Sequence, residues 1–323
     1  MKYKILDVLK KTGDYVSGEY LSEILGVTRS AVWKNINALR DEGYVIDSVT
    51  NKGYLLASSS DKIINAYEIK SNLSADIIGC NVRYFDTVGS TNDEAKKAAG
   101  NGAPSGTVIA ASAQTSGKGR LGRSWVSPPA GGLYFSVIVR PDISPYDAAG
   151  MTLAAGLCTC LALRNRTGLD CKIKWPNDII IGNKKICGIL TEMSAQTDKI
   201  DYAVIGIGIN VLNRSFPEEI SHKASSLFIE SGGTEFSKTE IICAVLNELD
   251  KHYSDLTGGF SESFIDIYKT LCATLDRNIS VIRGGKEIIG KAISINSRGE
   301  LVVLSNGELT TVNSGEVTVQ GIY

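Results

Sequence analysis

The sequence predicts an α/β multidomain chain. A winged helix-turn-helix would occupy residues 1–62, a central α+β domain on a mixed sheet 63–272, and a small SH3-like β-barrel 273–323. Three features predict it. Helical apolar spacing broken by single glycines fills the first part, followed by two short β-rich runs after Gly43. The middle alternates β-branched strands with helical stretches, the pattern of helices packed on a sheet. From about Ala273 the chain turns to short strands between turn signals.

Composition sets the outer bounds. With 323 residues, 43% of them hydrophobic, two or three domains with an ample core are expected. A net charge of -1 gives no global basic field that would mark nucleic acid as the partner. No stretch approaches the roughly 20 apolar residues of a membrane span. The N-terminus enters an amphipathic helix bearing Asp7 and does not resemble a signal peptide, so the cytoplasm, with no membrane partner, is expected. Cysteines at 80, 158, 160, 171, 187, 243 and 272 lack C-x-x-C spacing and read as reduced, mostly buried residues. With only His222 and His252 beside them, no protein-bound zinc or other transition metal is expected.

In the first part, Ile5, Leu6 and Leu9 repeat at helical spacing. A second helix runs from about Ser17 to Leu25, with Leu21, Ile24 and Leu25 on one face. Gly26-Val27 turns the chain, and Thr28 caps a third helix carrying Val32, Ile36 and Leu39. This is helix-turn-helix spacing. The only ionised residues of the third helix through Arg40 are Arg29, Lys34 and Arg40, so the helix is locally basic. Thr28, Arg29, Ser30 and Lys34 would reach bases or phosphates, with Lys52 at the tip of a hairpin wing. A helical protein–protein module is the alternative reading.

The polar run Ala57–Lys62 is the expected domain boundary. Beyond it, a strand around Arg83 and Phe85 feeds Gly89-Ser90-Thr91-Asn92 and then a helix to Ala99. Thr91 with Glu94 fits a capping box, which alone would account for the hydroxyls. The sharper reading is a polar turn that holds a small ligand, with Gln114 converging from the next strand. Strands follow at Leu133–Arg140, Lys172–Lys174, Ile186–Glu192 and Tyr202–Asn210, with an apolar helix from about Ala148 to Asn165. Gly206 and Gly208 inside a strand imply that something approaches its backbone closely.

The central stretch is Gly117-Lys118-Gly119-Arg120-Leu121-Gly122-Arg123, with three glycines, three cations and no acid. Such a loop can bring backbone amides and fixed charge to an anion. It also satisfies G-x-G-x-x-G. The following Ser124-Trp125-Val126-Ser127-Pro128-Pro129 opens no helix, however, so it is not a dinucleotide fingerprint. Near the C-terminus, Asn306-Gly307 between β-rich runs is a hairpin cue.

Taken in order, Gly89–Asn92, Gly117–Arg123, Lys174-Trp175-Pro176-Asn177-Asp178, Lys185 with Gly188, and Gly206-Ile207-Gly208-Ile209-Asn210 resemble the biotin–protein ligase family. The N-terminal helix-turn-helix resembles its bifunctional members, which also repress biotin genes. Lys118 departs from the family pattern, which more often has Arg there. The charge is kept and the planar fork lost.

The resemblance implies ATP-dependent, AMP-forming ligation. Biotin and ATP give biotinyl-5′-AMP, and biotin then passes to a lysine of a biotin carboxyl carrier protein, a subunit of acetyl-CoA carboxylase. It implies that Ser90, Thr91, Asn92, Gln114, Gly117, Lys118, Gly119, Arg120, Lys185, Gly188 and Gly206 bind biotin. Arg120, Arg123, Trp125, Asn177, Lys185 and Asn210 would serve ATP and the adenylate. Arg120, Arg123, Lys185 and Asp178 would carry the chemistry, with Asp178 as a ligand of Mg²⁺ or as the base for the incoming lysine. It further implies operator DNA as a partner and a homodimer formed on adenylate binding. The aperiodic segment Leu212–Ser226 is expected to close over the adenylate. A biotin-sensing repressor without catalysis and a lipoate- or octanoate-type acyltransferase are the rival readings. The intact cation set argues against the first and the Gly/Arg loop against the second.

Overall fold

Glycines and hydroxyl caps set the helix ends of the N-terminal part. The computed structural model describes residues 1–57, 63–129, 131–283, 286–313 and 315–323, so most of the expected linker, with Gly284, Gly285 and Ser314 of the expected C-terminal turn signals, lies outside the described residues. Contacts divide the chain into two units, Met1–Ser71 and Asn72–Tyr323.

In the first unit, α1 (Lys2–Thr12) stops at left-handed Gly13. Ser17 caps α2 (Gly18–Leu25), and Gly26, again left-handed, ends it. The Thr28 hydroxyl accepts from the Ala31 amide at 3.2 Å and starts α3 (Arg29–Asp41). These three helices bury Ile5, Leu6, Leu9, Leu21, Val32, Ile36 and Leu39 as one cluster. Ile24 departs from expectation: it lies 44% exposed rather than on the buried face. The antiparallel hairpin β1 (Ile46–Val49) and β2 (Gly53–Leu56) follows, turning through Asn51 at φ 69°. Arg40 donates to the Ile46 carbonyl at 2.6 Å and so ties α3 to that hairpin.

Helix α4 (Ala66–Asn72) brings a buried acid to this unit. Glu68 is 1% exposed. Its oxygens take Lys10 Nζ at 2.8 and 2.9 Å, and the Tyr44 hydroxyl donates to one of them at 2.7 Å.

The second unit is built on a seven-stranded sheet. Its strands are β3 (Val82–Val88), β4 (Val108–Gln114), β5 (Gly132–Val139), β6 (Cys171–Lys174), β7 (Asp178–Ile181), β8 (Lys184–Ala195) and β9 (Ile200–Asn210). Their spatial order is β3-β4-β5-β9-β8-β7-β6. Only β3 and β4 run parallel; the other neighbours are antiparallel, so the sheet is mixed as expected. Strand alternation sorts the helices onto its two faces. Helix α5 (Thr91–Gly100) packs Ala95, Ala98 and Ala99 on Ile109, Ile138 and Val204. Helix α6 (Ala149–Thr167) meets the opposite face, where Thr152 donates to the Thr191 hydroxyl at 2.8 Å.

Pro145–Thr167 is long and apolar enough to cross a membrane by length and composition, against the expectation that no stretch approaches a span. Most of it is buried inside the fold, as a core helix.

After β9 come α7 (Glu218–Ser221) and α8 (Leu227–Glu230), so the 212–226 segment is not wholly without helix. Then follow α9 (Lys238–Lys251), α10 (Tyr253–Gly258) and α11 (Glu262–Leu271). The C-terminal sheet comprises β10 (Asn278–Arg283), β11 (Lys286–Ile295), β12 (Leu301–Ser305), β13 (Glu308–Val312) and β14 (Glu316–Val319). It is antiparallel in the order β13-β12-β11-β10-β14. Asn306 and Gly307, both at positive φ, make the β12–β13 turn that the Asn-Gly pair predicts. Trp175, only 1% exposed, is a core residue here. Its indole N–H donates to the Gly299 carbonyl at 3.1 Å and locks this sheet to the end of β6.

Removing Lys10 while keeping Glu68 would strand a buried carboxylate. Lys10→Met is expected to destabilise the first unit by about 2 kcal/mol, less than a fully buried pair would lose because Lys10 is partly exposed. Adding Glu68→Gln should restore part of that loss. Urea unfolding followed by circular dichroism measures both.

Candidate active site

Three missing side chains make the floor of the site. In the β8–β9 register Gly188 stands opposite Gly208 and Leu190 opposite Gly206, so the three glycines share one face of the sheet. A Cβ on Gly206 would lie 2.0 Å from Asn92 Oδ1. One on Gly208 would lie 2.7 Å from Trp125 Nε1, and one on Gly188 2.8 Å from Trp125 Cζ3. Only glycine lets Asn92 and the Trp125 indole rest on these strands.

In the pocket, polar groups of α5, β4, β5, β8 and the loop before β5 interlock. Ser90, at 2% exposure, is the N-cap of α5. The cap is thus one residue earlier than the expected Thr91–Glu94 box, because Thr91 is engaged elsewhere. Its amide and hydroxyl both donate to Gln114 Oε1, at 2.8 and 3.1 Å, and its hydroxyl accepts from Ser136 at 2.8 Å. Ser136 also approaches Asn92 Oδ1 at 2.6 Å, and Asn92 Nδ2 donates to Glu192 at 2.7 Å. Gln114 Nε2 reaches the Ser127 hydroxyl at 3.0 Å. A buried network satisfied in this way holds its members in fixed orientations.

Cations line the same pocket. The loop after β4 makes a single 3₁₀ turn, Arg120–Gly122, with Leu121 and Gly122 left-handed, and opens no α-helix. The Gly119 amide donates to the Arg123 carbonyl at 2.7 Å, and the Trp125 amide to the Gly117 carbonyl at 2.9 Å. Lys118 Nζ meets Asp93 at 2.8 Å, latching the loop to the first turn of α5. Burial pushes the Asp93 pKa up, but hydrogen bonds from Lys118 and Lys96 outweigh it and hold the carboxyl below its ordinary value. Arg120 donates to Asn177 Oδ1 at 2.9 Å and to the Gly315 carbonyl at 3.2 Å. Lys185 Nζ lies 2.6 Å from Asp178 Oδ1 and 5.1 Å from the Trp125 ring centroid.

The structure therefore gathers Ser90, Thr91, Asn92, Gln114, Lys118, Gly119, Arg120, Trp125, Asn177, Lys185, Gly188 and Gly206 around one pocket. Gly117 sits beneath Trp125, and Asp178 stands behind Lys185. Two expected members are not brought in. Arg123 is exposed and does not line the pocket. Asn210 is buried, with its amide committed to the Ser225 carbonyl at 2.9 Å, so it holds the loop after β9.

The sequence gives no site role to Ser136, Ser127 or Glu192, whereas the close approach it expects at Gly208 is that of Trp125. Ser136 is the single polar residue of an entirely buried strand, and Glu192 the single acid in β8. Those were the available signals. In the first unit, Lys34 and Lys52 are exposed and Thr28 bonds the Ser30 hydroxyl at 2.9 Å. Arg29 pairs with Glu19 at 2.7 Å on the open surface.

Comparisons with known proteins cover the same ground. Residues 84–210 match the biotin/lipoate A/B protein ligase family, residues 2–55 an HTH domain, and residues 274–319 the biotin protein ligase C terminal domain. The chain is 34% identical to the bifunctional ligase/repressor BirA of Bacillus spizizenii over 94% of both chains. It is 30% identical to that of Escherichia coli over 92% of this chain and 91% of the other. Among solved structures, the biotin protein ligase from Aquifex aeolicus in complex with biotin and ATP aligns with a TM-score of 0.65. The identity is 28%, covering 75% of this chain and 99% of that one.

Gly208→Ala is expected to drive the Trp125 indole off the floor towards solvent, with the fold retained. Tryptophan emission should shift to longer wavelength; an unchanged spectrum would show that the ring does not rest on Gly208.

Proposed function

The chain belongs to the bifunctional biotin ligase/repressor family, and from that premise we propose how its residues share the work. It activates biotin with ATP to biotinyl-5′-AMP and transfers the biotin to a lysine of a biotin carboxyl carrier protein. Its helix-turn-helix serves repression at operator DNA. One observation carries the site assignment: a donor–acceptor cradle and a set of cations line a single glycine-floored pocket.

The first step brings a carboxylate onto the α-phosphorus of a triphosphate. An oxygen–phosphorus bond forms there while the bond to pyrophosphate breaks. Two anions repel, so the main requirement is preorganised positive charge. We assign Arg120, Lys185 and the 117–120 backbone to that task. Ser90, Thr91, Asn92 and Gln114 would hold the ureido head, whose carbonyl and N–H groups match their donors and acceptors. No general base is needed, because a carboxylic acid is already ionised at neutral pH. In the second step the carrier lysine attacks the acyl carbon and AMP leaves. The indole of Trp125 covers two of the three floor glycines. Substrate entry therefore moves it together with the loop, whose Gly117 holds its amide, and order in 117–125 then follows ligand.

Mg²⁺ fits this donor set only as an ion brought by ATP. Asp178 already gives one oxygen to Lys185 and the other to Tyr323. Mg²⁺ characteristically takes one or two carboxylates plus substrate phosphates. Asp178 would be the carboxylate nearest to it, and the ion would offset phosphate charge.

For the remaining parts we assign residues 1–62 to DNA, with β1–β2 as the wing and Thr28, Arg29, Ser30, Lys34 and Lys52 as contacts. Residues 63–272 carry the ligation, and 273–323 form an SH3-like barrel that backs the site. Adenylate-ordered loops would favour a homodimer that sets two helix-turn-helix units on a two-fold related operator. ATP and DNA as partners both suit a cytoplasmic setting.

Biotin-dependent pyrophosphate–ATP exchange tests the chemistry. The protein should show it, and Lys185→Ala should lower kcat by about 100-fold. Absence of exchange at saturating biotin would leave a repressor without catalysis, and exchange with lipoate instead would leave an acyltransferase. For the DNA role, Lys34→Ala should weaken binding evenly across sequences and reduce the slope of log K against log salt by about 1. An unchanged slope would remove Lys34 from the interface.

A further inference from the structure

One titratable residue at the site is used by none of the assignments above. Tyr323 lies against the β7–β8 turn, where its amide donates to the Asn183 carbonyl at 3.2 Å. The preceding Ile322 is buried, and its amide returns to the Val319 carbonyl at 3.1 Å, so the segment is folded onto the C-terminal sheet. Lys174 Nζ sits 3.6 Å from the Tyr323 ring centroid. The ring is thereby held between strand β6 and the turn, and its hydroxyl donates to Asp178 Oδ2 at 2.9 Å. The other oxygen of Asp178 faces Lys185 Nζ at 2.6 Å. Tyr323, Asp178 and Lys185 thus form one line that starts in the C-terminal segment and ends at the pocket wall.

We infer that Tyr323 is a positioning residue for ligation, aiming Lys185 at the reacting carboxylate and phosphate by fixing the rotamer of Asp178. This rests on the ligase reading above. A carboxylate bonded at one oxygen alone can turn about its Cβ–Cγ bond and carry its partner ammonium with it. With Oδ2 held by the Tyr323 hydroxyl and Oδ1 ion-paired to Lys185 it cannot, and Lys185 keeps a single approach. Although the residue as a whole keeps 40% of its surface, its hydroxyl end is largely desolvated. Burial, and then the neighbouring Asp178 charge, raise its pKa far above the ordinary tyrosine value, so the group stays a donor. Lys185 is also fixed at its backbone, where its amide donates to the Lys223 carbonyl at 2.8 Å and its carbonyl accepts from the Ser225 amide at 2.9 Å. What Tyr323 controls is therefore the side chain alone.

Tyr323→Phe keeps the ring, the Lys174 contact and the packing, and removes only the hydroxyl. In pyrophosphate–ATP exchange it is expected to lower kcat by about tenfold, with the KM values for biotin and ATP and the melting temperature close to those of the unmodified protein. The deciding measurement is coupling. In the Asp178→Ala background the hydroxyl has no acceptor, and Tyr323→Phe should then change nothing further. Should exchange by Asp178→Ala fall below detection, the same cycle is read from single-turnover adenylate formation. An equal loss in both backgrounds, or raised KM values together with a lowered melting temperature, would make Tyr323 a seal on the hairpin and overturn the inference. No exchange from the unmodified protein would overturn both this and the ligase reading, whereas additive losses with normal parent exchange overturn this one alone.

Discussion

Close approach to the backbone of two neighbouring strands is the condition on which the site depends. Where β8 and β9 run side by side, Gly188, Gly206 and Gly208 leave one face bare. Asn92 and Trp125 lie on that bare face at distances no Cβ would tolerate. Because Asn92 can lie so low, Ser136 Oγ approaches its Oδ1 while Glu192 accepts from its Nδ2, and the first turn of α5 is drawn against the sheet. The polar cradle is in this sense a consequence of absent side chains.

The second constraint is electrostatic. Lys118, Arg120 and Lys185 line one pocket, and like charges gathered without compensation would repel. Each is instead given a counter-group: Asp93 for Lys118, Asn177 and the Gly315 carbonyl for Arg120, Asp178 for Lys185. Two of those groups are carboxylates and two are neutral oxygens. The arrangement holds positive charge in place while leaving part of it to be taken up by an arriving anion. Such charge is worth more in a pocket with low-dielectric walls than at an open surface.

The two units solve separate problems. In the first, a buried carboxylate, Glu68, joins α1, the chain around Tyr44 and α4 through hydrogen bonds to Lys10 and Tyr44. In the second, the core helix α6 lies on the sheet face opposite the pocket, so the glycine floor has a packed layer behind it.

Much of this was legible in the residues by themselves. Periodicity and caps mark the three N-terminal helices, Asn306-Gly307 marks its hairpin, and the glycines at 206 and 208 announce a close approach. The charged loop is legible as a place for an anion, and the resemblance adds Asn177 and Lys185, which the fold brings to the same pocket. Only the tertiary structure decided what approaches those glycines, and that Thr91 bonds Gln114 and Ser136 rather than capping α5. Only it showed Asn210 committed to Ser225, Arg123 left outside, and Tyr323 bonded to Asp178. These are contacts between residues far apart in the chain. A hydroxyl or amide in a sequence states what it can donate or accept, but its partner is set by strand register and by which face of the sheet each element meets.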